Sequence, residues 1–236
     1  MLKKIKRELL RLKNPSKAKM FLRFFKTGKG EYGEGDVFLG ITVPLQRSIA
    51  KKYLDLNLKD VQDLLSSKIH EHRLVSLLIL IFKYKKADEL EKKEIVDFYL
   101  KNTKNINNWD LVDLSAGYIV GDYLFQFKKD TSVLYKLAKS KNLWERRIAI
   151  MSTFAYIKND HFKDVLSISE ILLNDPHDLI HKAVGWMLRE IGKRNKKVEV
   201  NFLNKHYREM PRTMLRYAIE KFTIEEKSFY MKKDAI

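Results

Sequence analysis

The sequence predicts an all-α protein, and three observations point to that class. Hydrophobic residues recur with helical spacing along almost the whole chain, whereas the alternation typical of a half-buried strand is nearly absent. The 236 residues include only 4 prolines and 9 glycines, which indicates long helices with few irregular segments. Small residues also recur at a regular interval, which indicates a repeated helical unit. A chain of this length buries enough surface to fold without disulfides, and it contains no cysteine.

The spacing of hydrophobic residues predicts helices in this order: 3–13, 16–27, 44–54, 59–66, 70–85, 91–101, 109–125, 131–139, 144–157, 162–173, 178–192, 198–207 and 212–222. Pro44 and Pro211 stand near the starts of two helices, where proline is favoured because the first N–H groups have no partner inside the helix. Three others begin near a residue suited to an N-cap or a first turn: Asp60, Asn108 and Asp178.

A weak internal repeat is visible in the second helix of each pair. Its small residues are spaced by 40, 33, 34 and 35 positions: Ser76, Ala116, Ala149, Ala183 and Ala218. A helix-pair period of this length predicts an α-α superhelix of degenerate HEAT-like repeats with a concave basic cleft. We expect one domain over residues 1–236, with helices 1–55 as a cap, repeats over about 56–225 and a short C-terminal tail. An irregular helical bundle is the alternative.

The positive charge is concentrated in two blocks. The net charge is +17, and residues 1–29 hold eleven basic residues against the single acid Glu8, whereas residues 182–221 hold eleven against four. This segregation predicts a polyanionic partner, with nucleic acid favoured over an anionic membrane surface. The alternative is a genome that uses lysine heavily. Because no apolar stretch is long enough to span a bilayer and no signal-peptide core is visible, we expect a cytoplasmic, nucleoid-associated protein.

Two patterns that could indicate cofactors are discounted. The segment Gly28–Gly35 formally matches a dinucleotide-binding loop, but it follows a predicted helix instead of a strand, so we expect a flexible surface loop. The pairs His70/His72 and His177/His181 have no evident third ligand, so we expect solvated or capping histidines. The sequence therefore predicts neither a metal nor a cofactor.

The predicted helix 109–125 has an unusual polar face. Its residues are four apart and lie on one side: Trp109, Asp113, Gly117 and Gly121. The opposite side carries the expected core residues: Leu111, Val112, Leu114, Tyr118 and Ile119. An indole and a carboxylate followed by glycines favour an open surface that another molecule approaches. In the alternative, Asp113 caps a neighbouring helix or pairs with an arginine, and the glycines allow close helix packing.

A second polar stripe lies on the predicted helix 178–192. It combines one indole with three cations: Lys182, Trp186, Arg189 and Lys193. The core side carries apolar residues: Leu179, Ile180, Val184, Leu188 and Ile191. The stripe suits a sugar or base stacked on the indole with phosphates on the cations. The alternative is an amphipathic tryptophan at the edge of a repeat.

Two arginines lie just inside the start of helix 144–157. Repeat stacking predicts that the first turn of this helix lies near Asp113, one unit earlier. There Arg146 or Arg147 would pair with Asp113 or with a phosphate.

Four motifs together suggest a family: FLGITVP at 38–44, NWDLVD at 108–113, LWERRIAI at 143–150 and LIHKAVGWMLREIGK at 179–193. In them the chain resembles the AlkD-type DNA alkylation repair glycosylases, which are built of HEAT-like repeats. The resemblance covers nearly the whole chain. It implies excision of positively charged bases from duplex DNA, chiefly purines alkylated at N3 or N7. It places Trp109, Asp113 and Trp186 on the family's catalytic cleft and Arg147 on its conserved arginine.

The resemblance and the charge together define the expected site. Asp113 would stabilise the oxocarbenium-like sugar, the two indoles would pack on the nucleotide, and Arg147 would hold a phosphate or orient Asp113. We expect further DNA contacts from Thr42, Arg146, Lys182, Arg189, Lys193, Arg212 and Arg216. The expected partner is double-stranded DNA with alkylated bases, bound by a monomer without metal or membrane. Two other classes remain open: a non-catalytic binder of distorted or branched DNA, and a helical adaptor for acidic proteins.

Overall fold

The fold is all-helical, as the sequence predicts. A computed structural model describes residues 1–232, and within that range the only extended pairing is a single bridge between Val37 and Ile69. The chain divides into two compact units, Met1–Ser115 and the residues from Ala116 onward. The prediction of one continuous repeat domain with a concave cleft stays a prediction. No helix in residues 1–232 is long and apolar enough to cross a membrane.

The first unit contains seven helices among its described residues: α1 (Leu2–Arg11), α2 (Pro15–Phe24), α3 (Val43–Lys52), α4 (Leu58–Leu65), α5 (His70–Tyr84), α6 (Glu89–Lys101) and α7 (Trp109–Ala116). Helix α5 packs against α3, α4 and α6 and is buried on nearly all sides. A helix that is enclosed all round needs apolar residues around its whole circumference, which explains the long run Leu74–Ile81.

The second unit continues with a π-helical segment (Gly117–Gly121) and nine helices up to residue 232: α8 (Asp122–Gln126), α9 (Ser132–Ala138), α10 (Leu143–Ser152), α11 (Phe154–Lys158), α12 (Lys163–Ile171), α13 (Asp178–Arg194), α14 (Lys196–His206), α15 (Arg212–Ala218) and α16 (Ile224–Met231). Helix α13 is its centre and packs against α10, α14 and α15. The small residues that mark the repeat are all fully buried: Ser76, Ala116, Ala149, Ala183 and Ala218.

The helix ends follow side-chain capping. Asn14, Asn57, Asn142 and Asn195 each accept a backbone N–H at a helix start, and Thr223 forms a capping box with Glu226. The predicted first-turn residues Asp60 and Asp178 lie in the first turns of α4 and α13.

Some boundaries differ from those predicted. The predicted helix 144–157 is divided at Thr153 into α10 and α11, and the predicted helix 212–222 ends in a short 3₁₀ turn at Ile219–Lys221. Where the sequence predicted a tail after 225, α16 continues to Met231. This helix buries only Tyr230, so it lacks the apolar stripe that reveals a helix in a sequence. The last part of the expected tail, 233–236, lies outside the described residues.

The close approach of α13 to α15 should make Gly185 sensitive to substitution. A Cβ added there would overlap the carbonyl oxygen of Met214 and lie 2.6 Å from the Cβ of Tyr217. Because backbone cannot yield as a flexible side chain does, we expect Gly185→Ala to lower the free energy of unfolding by roughly 1–3 kcal/mol. The matched change Asn201→Ala, at an exposed position of α14, should stay within about 0.5 kcal/mol of the wild type. Chemical denaturation checks both values, and equal stabilities would contradict the packing.

Candidate functional site

Trp109 lies at the start of α7 and is packed from the side of α2. Its ring stacks on Phe25, with centroids 5.3 Å apart and planes 23° from parallel, and Phe24 meets it edge-on at 5.8 Å. Its Nε1 donates to the hydroxyl of Tyr32 in the glycine-rich loop, over 3.3 Å. The indole is half-buried because the aromatic end of α2 covers part of it, and the open face that the sequence favoured stays a prediction.

Asp113 lies one turn after Trp109 and is half-buried. Nearby, the hydroxyl of the buried Tyr99 lies 2.9 Å from that of Ser115. Burial is the main cause that raises the pKa of Tyr99, and the negative charge of Asp113 raises it further, which indicates that the carboxylate is near this hydroxyl pair. Asp113 is therefore a half-buried side chain whose charge acts on a buried hydroxyl.

The two glycines on the same face have a packing role. Gly121 is buried, and a Cβ there would overlap the carbonyl oxygen of Ser152, while one at Gly117 would lie 3.2 Å from that of Met151. The alternative stated above, close helix packing, is what the structure shows for these glycines. Tyr118 was expected in the core but is 43% exposed, with the ammonium of Lys158 over its ring.

On α13, Trp186 is half-buried and bonded to an acid. Its Nε1 donates to Glu190 Oε1 over 3.0 Å, and the Nζ of Lys193 donates to the same oxygen over 2.6 Å. Indole, carboxylate and ammonium therefore form one cluster along the helix. The sequence interpretation missed Glu190, although its position four residues after Trp186 was a usable signal.

The other cations of this stripe also have acidic partners. Lys182 donates to Asp178 over 2.8 Å, and Arg189 pairs with Glu220 beyond the end of α15. The i,i+4 spacing could have revealed Asp178. No local signal could have revealed Glu220, because it reaches Arg189 only through tertiary packing.

The two arginines of α10 have hydrogen-bond partners within the second unit. Arg147 is only 4% exposed and donates to the carbonyl of Leu179 in the first turn of α13. Arg146 donates through Nε to Asp175 over 2.6 Å and through Nη1 to the carbonyls of Ser140 and Lys141. Arg146 and Arg147 therefore connect α10 to Asp175 and to the first turn of α13. The predicted pairing of one of these arginines with Asp113 or with a phosphate stays a prediction.

The remaining predicted DNA contacts lie at helix starts or on exposed surface. Thr42 is the N-cap residue of α3 and is half-exposed, without a capping bond from its hydroxyl. Arg212 is exposed and donates to the carbonyl of Met231 over 2.5 Å. Arg216 is exposed on α15. Their contact with DNA stays a prediction, as does the predicted approach of the first turn of α10 to Asp113.

The family of this chain follows from its match to a family profile. The profile of the DNA alkylation repair enzyme family matches residues 5–222. The chain belongs to this family. The match spans nearly the whole chain and includes both polar helices, α7 and α13.

Solved structures show the same fold at low sequence identity. A predicted DNA alkylation repair enzyme from Enterococcus faecalis has a TM-score of 0.71 at 16% identity, over 90% of this chain and 97% of its own. AlkD2 from Streptococcus mutans has 0.57 at 18%, over 88% and 99%, and smu.31 from Streptococcus mutans UA159 has 0.56 at 19%, over 77% and 92%. The sequence matches no curated protein.

This family member contains a buried charge network that the sequence interpretation missed. His70 is 2% exposed, and its ring nitrogens lie 3.2 Å from Asp36 Oδ2 and 2.8 Å from Asp110 Oδ2. Arg73 donates to the other oxygen of Asp36 over 2.6 Å. The expectation of solvated or capping histidines was therefore wrong for His70, and also for the buried His72.

The other histidine pair differs. His177 accepts the N–H of Leu179 and caps α13, which confirms the capping role, and His181 Nε2 lies 2.5 Å from the carbonyl oxygen of Asp175. Over residues 1–232, no group of three or more histidine, aspartate or glutamate side chains could hold a metal ion.

The carboxylate of Glu71 binds the backbone of the FLGITVP motif. It accepts the N–H groups of Leu39, Gly40 and Ile41 over 2.9, 2.7 and 3.2 Å. Gly40 has a φ of +82°, and a Cβ there would overlap the backbone of α2. The motif is therefore a turn fastened to α5, and it places Thr42 and Val43 at the start of α3.

His70 should make stability depend on pH. Burial opposes the charged imidazole, but the charge of Asp110 and the hydrogen bonds to Asp110 and Asp36 prevail and raise the pKa of His70 to about 9. A folded pKa above the unfolded value means that this stabilisation is complete below about pH 6.5 and is lost as the pH rises through 9. We expect His70 to account for a loss on the order of 3 kcal/mol in the free energy of unfolding between pH 6.5 and 9.

The free energy of unfolding is measured between pH 6.5 and 9 for the wild type, His70→Gln and the control His161→Gln, which changes an exposed histidine. Burial also raises the pKa of Glu199, to about 8, so that this carboxyl loses stabilisation over an overlapping range in all three proteins. The difference between variants isolates His70. Equal pH dependence in wild type and His70→Gln would contradict the assignment.

Proposed function

We propose that the protein is a DNA glycosylase that hydrolyses the N-glycosidic bond of cationic N3- or N7-alkylated purines in duplex DNA, as a 3-methyladenine/7-methylguanine-type enzyme of base excision repair. Family membership supports a role in DNA alkylation repair. The observation that carries the finer proposal is Asp113, a half-buried carboxylate one helical turn after Trp109 and near the Tyr99–Ser115 hydroxyl pair.

The chemistry needs little acid catalysis. An alkylated purine already carries a positive charge, so when the bond from C1′ to the base breaks, the electron pair neutralises the base and no proton is required. The sugar is left as an oxocarbenium ion, and water adds at C1′ and loses its proton. A carboxylate in a partly dry site stabilises this developing charge more strongly than the ground state. Asp113 would supply that stabilisation and accept the proton of the water.

Trp109 in the first unit and Trp186 in the second would each bind the nucleotide at the surface of its own unit. Trp109 presents the part of its ring that Phe24 and Phe25 leave uncovered, and its π-face favours a cationic nucleotide. Trp186 is held by Glu190, so its ring orientation is set before DNA arrives. A pre-oriented ring loses little conformational freedom on binding.

The arginines of α10 would act as positioning residues. Arg147 holds the first turn of α13 through Leu179, and Arg146 holds Asp175 just before it. Together they would fix the helix that carries Trp186. Thr42, Lys182, Arg189, Lys193, Arg212 and Arg216 would contact the DNA backbone. Several of these cations already pair with carboxylates. A DNA phosphate would therefore replace a carboxylate as the partner of such a cation.

A second candidate is a non-catalytic binder of distorted or branched DNA. The observation that favours it is the partial cover over Trp109, because a ring that is packed against Phe25 has less face for a substrate. Both candidates predict binding to duplex DNA by a monomer in the nucleoid. Only the glycosylase predicts release of a base.

Asp113→Asn tests the catalytic assignment. Losing one stabiliser of transition-state charge should slow release of 7-methylguanine from methylated duplex DNA by about 10²-fold or more. Duplex binding should persist, because the substitution keeps the shape of the side chain. The matched control is Asp97→Asn, an exposed carboxylate of α6 paired with Lys93, which should excise at the wild-type rate. Excision by Asp113→Asn at a rate near that of the wild type would refute the assignment, and no excision by the wild type would favour the non-catalytic binder.

Lys182→Ala and Lys193→Ala test the basic stripe. If each ammonium binds a phosphate, the slope of log affinity against log salt should fall by about 1 per substitution, and all duplexes should be bound more weakly. Lys136→Ala, an exposed lysine of α9, serves as the control for a general loss of charge. Fluorescence anisotropy at several salt concentrations gives the slopes, and unchanged slopes would place the stripe away from DNA.

A further inference from the structure

One oxygen of Glu190 lies close to three donors of α13. Its Oε1 accepts the Nε1–H of Trp186 over 3.0 Å and the ammonium of Lys193 over 2.6 Å. The Nε of Arg189 lies 3.8 Å from the same oxygen, which is too far for a hydrogen bond. Each carboxylate oxygen has two lone pairs. Trp186 and Lys193 therefore occupy both lone pairs of Oε1, and Arg189 is left out.

The Nε of Arg189 has no other acceptor. It is buried and has no hydrogen-bond partner in the described part of the chain, although Nη1 of the same side chain donates to Glu220. A buried donor without a partner is costly. Any event that frees one lone pair of Glu190 Oε1 therefore favours a new bond from Arg189.

Glu199 is a further acid near Arg189, and its Oε1 is also buried without a partner among residues 1–232. Burial raises the pKa of Glu199 to about 8, so this carboxyl is mostly protonated at pH 7. A neutral carboxyl attracts a guanidinium group less strongly than a carboxylate does. Glu190, which already forms an ion pair with Lys193, is therefore the stronger partner for Arg189 at this pH.

Lys193 also lines a cleft that contains two further cations. The cleft has a volume of about 620 Å³, and residues of α11 and α13 form its walls, including Lys158 and Arg194. Arg194 pairs with Asp160 over 3.0 Å, and both side chains are exposed. Exposed pairs of this kind contribute little to stability, so a ligand can compete for the guanidinium group.

Lys158 is the cation of the cleft that has no acidic partner. No carboxylate of residues 1–232 lies within ion-pair distance of its ammonium, which stands over the rings of Tyr118 and Phe154 at 4.7 and 4.6 Å. The rings attract the ammonium but do not neutralise its charge. The cleft therefore has three cations for two carboxylates. This balance favours an oxyanion such as phosphate, which accepts several charge-assisted hydrogen bonds.

We propose that Glu190 is a positioning residue for Trp186, and that a phosphate group bound in this cleft tightens its hold on the indole. The phosphate would take Lys193, and the freed lone pair of Glu190 would accept the Nε–H of Arg189. The side chain of Lys193 is 45% exposed and that of Arg189 only 16%, so an enclosed donor replaces a mobile one. The carboxylate that orients the indole would then move less.

The phosphate is either a free ion or a phosphate of bound DNA. The proposal deepens the proposed function and rests on it in one respect, the assignment of Trp186 to the nucleotide. The coupling between the cleft and the indole needs no excision, so it is measured on the protein without damaged DNA.

Hydrogen exchange followed by NMR tests the coupling in the full chain at pH 7. The three tryptophans give three indole N–H signals, of which Trp186→Phe removes one, and Arg189→Lys identifies the Nε–H of Arg189. Inorganic phosphate should slow the exchange of both groups with water by about fivefold, the scale of one hydrogen bond within a protein. Sodium chloride at the same ionic strength should change neither rate, because screening alone gives Arg189 no new acceptor.

Three variants separate the steps. Lys193→Ala frees the lone pair permanently, so the indole of Trp186 should exchange at the phosphate-bound rate even without phosphate. Arg189→Lys keeps the charge but has no Nε, and Glu190→Gln removes the carboxylate, so both should abolish the response of the indole. The matched control Glu209→Gln changes an exposed glutamate after α14 and should respond like the wild type.

Lys158→Ala tests the cleft itself. It should weaken phosphate binding by roughly tenfold, the scale of one hydrogen bond to a charged group. Exchange of the Trp186 indole without phosphate should not change, because no hydrogen bond or ion pair within residues 1–232 joins Lys158 to Glu190. Lys136→Ala, on the exposed face of α9, controls for the loss of one charge. Equal phosphate affinity in both variants would place the anion elsewhere and overturn the assignment of the cleft.

An unmodified duplex distinguishes the two sources of phosphate. Slower exchange with the duplex identifies a DNA phosphate, and slower exchange with inorganic phosphate alone identifies a free anion. Unchanged exchange with both, or an equal change in chloride, overturns the coupling. The glycosylase proposal fails separately. A protein that shows the coupling but releases no 7-methylguanine keeps the role of Glu190, whereas excision without the coupling keeps only the glycosylase.

Discussion

The ion pair between His70 and Asp110 is the interaction on which the first unit's candidate residues depend. It joins the start of α5 to the first turn of α7 over 2.8 Å, and Asp36 and Arg73 complete the network from the preceding turn and from α5. Asp110 stands directly after Trp109 and three residues before Asp113. The pair therefore holds the first turn of the helix that carries both residues against the start of α5. Removing one member of such a network leaves an uncompensated charge in the interior, which costs far more than an exposed pair contributes.

The second unit uses charge differently. The cations of α13 lie near the surface and are matched with Asp178, Glu190 and Glu220. The exposed pair Lys182–Asp178 contributes little to stability, whereas the side chains of Arg189 and Glu190 are mostly buried. The pairing also holds long side chains in defined positions. If this surface binds DNA as proposed, phosphates would replace these carboxylates as partners, in addition to the general attraction of a chain with net charge +17.

Trp109 has two roles in its surroundings. One part of its ring belongs to the stack with Phe25, and the residue also begins the helix that carries Asp113. The packing of α2 therefore decides how much of the ring a nucleotide can reach. A movement of Phe24 alone would change the exposed face of the indole.

Much of the architecture was determined by local patterns in the sequence. Helical spacing predicted the class and most of the helices, and the recurring small residues predicted positions that are all fully buried, because small side chains let neighbouring helices approach closely. The four motifs indicated the family that the profile match then showed. Helical spacing could also have predicted the ion pairs of Asp178 and Glu190, because it places each acid beside its partner.

The tertiary structure decided the features that depend on residues far apart in the chain. Arg147 is bound by a carbonyl 32 residues away, Arg189 by Glu220 31 residues away, and His70 by Asp110 40 residues away. Gly121 serves helix packing because of the backbone of Ser152, and Phe25, Phe38 and Trp109 stack on one another although they are far apart in the chain. Residue type and local spacing determine what a side chain is able to do. Packing determines which partner a polar side chain binds. A buried polar group binds the nearest partner in space, whatever the position of that partner in the sequence.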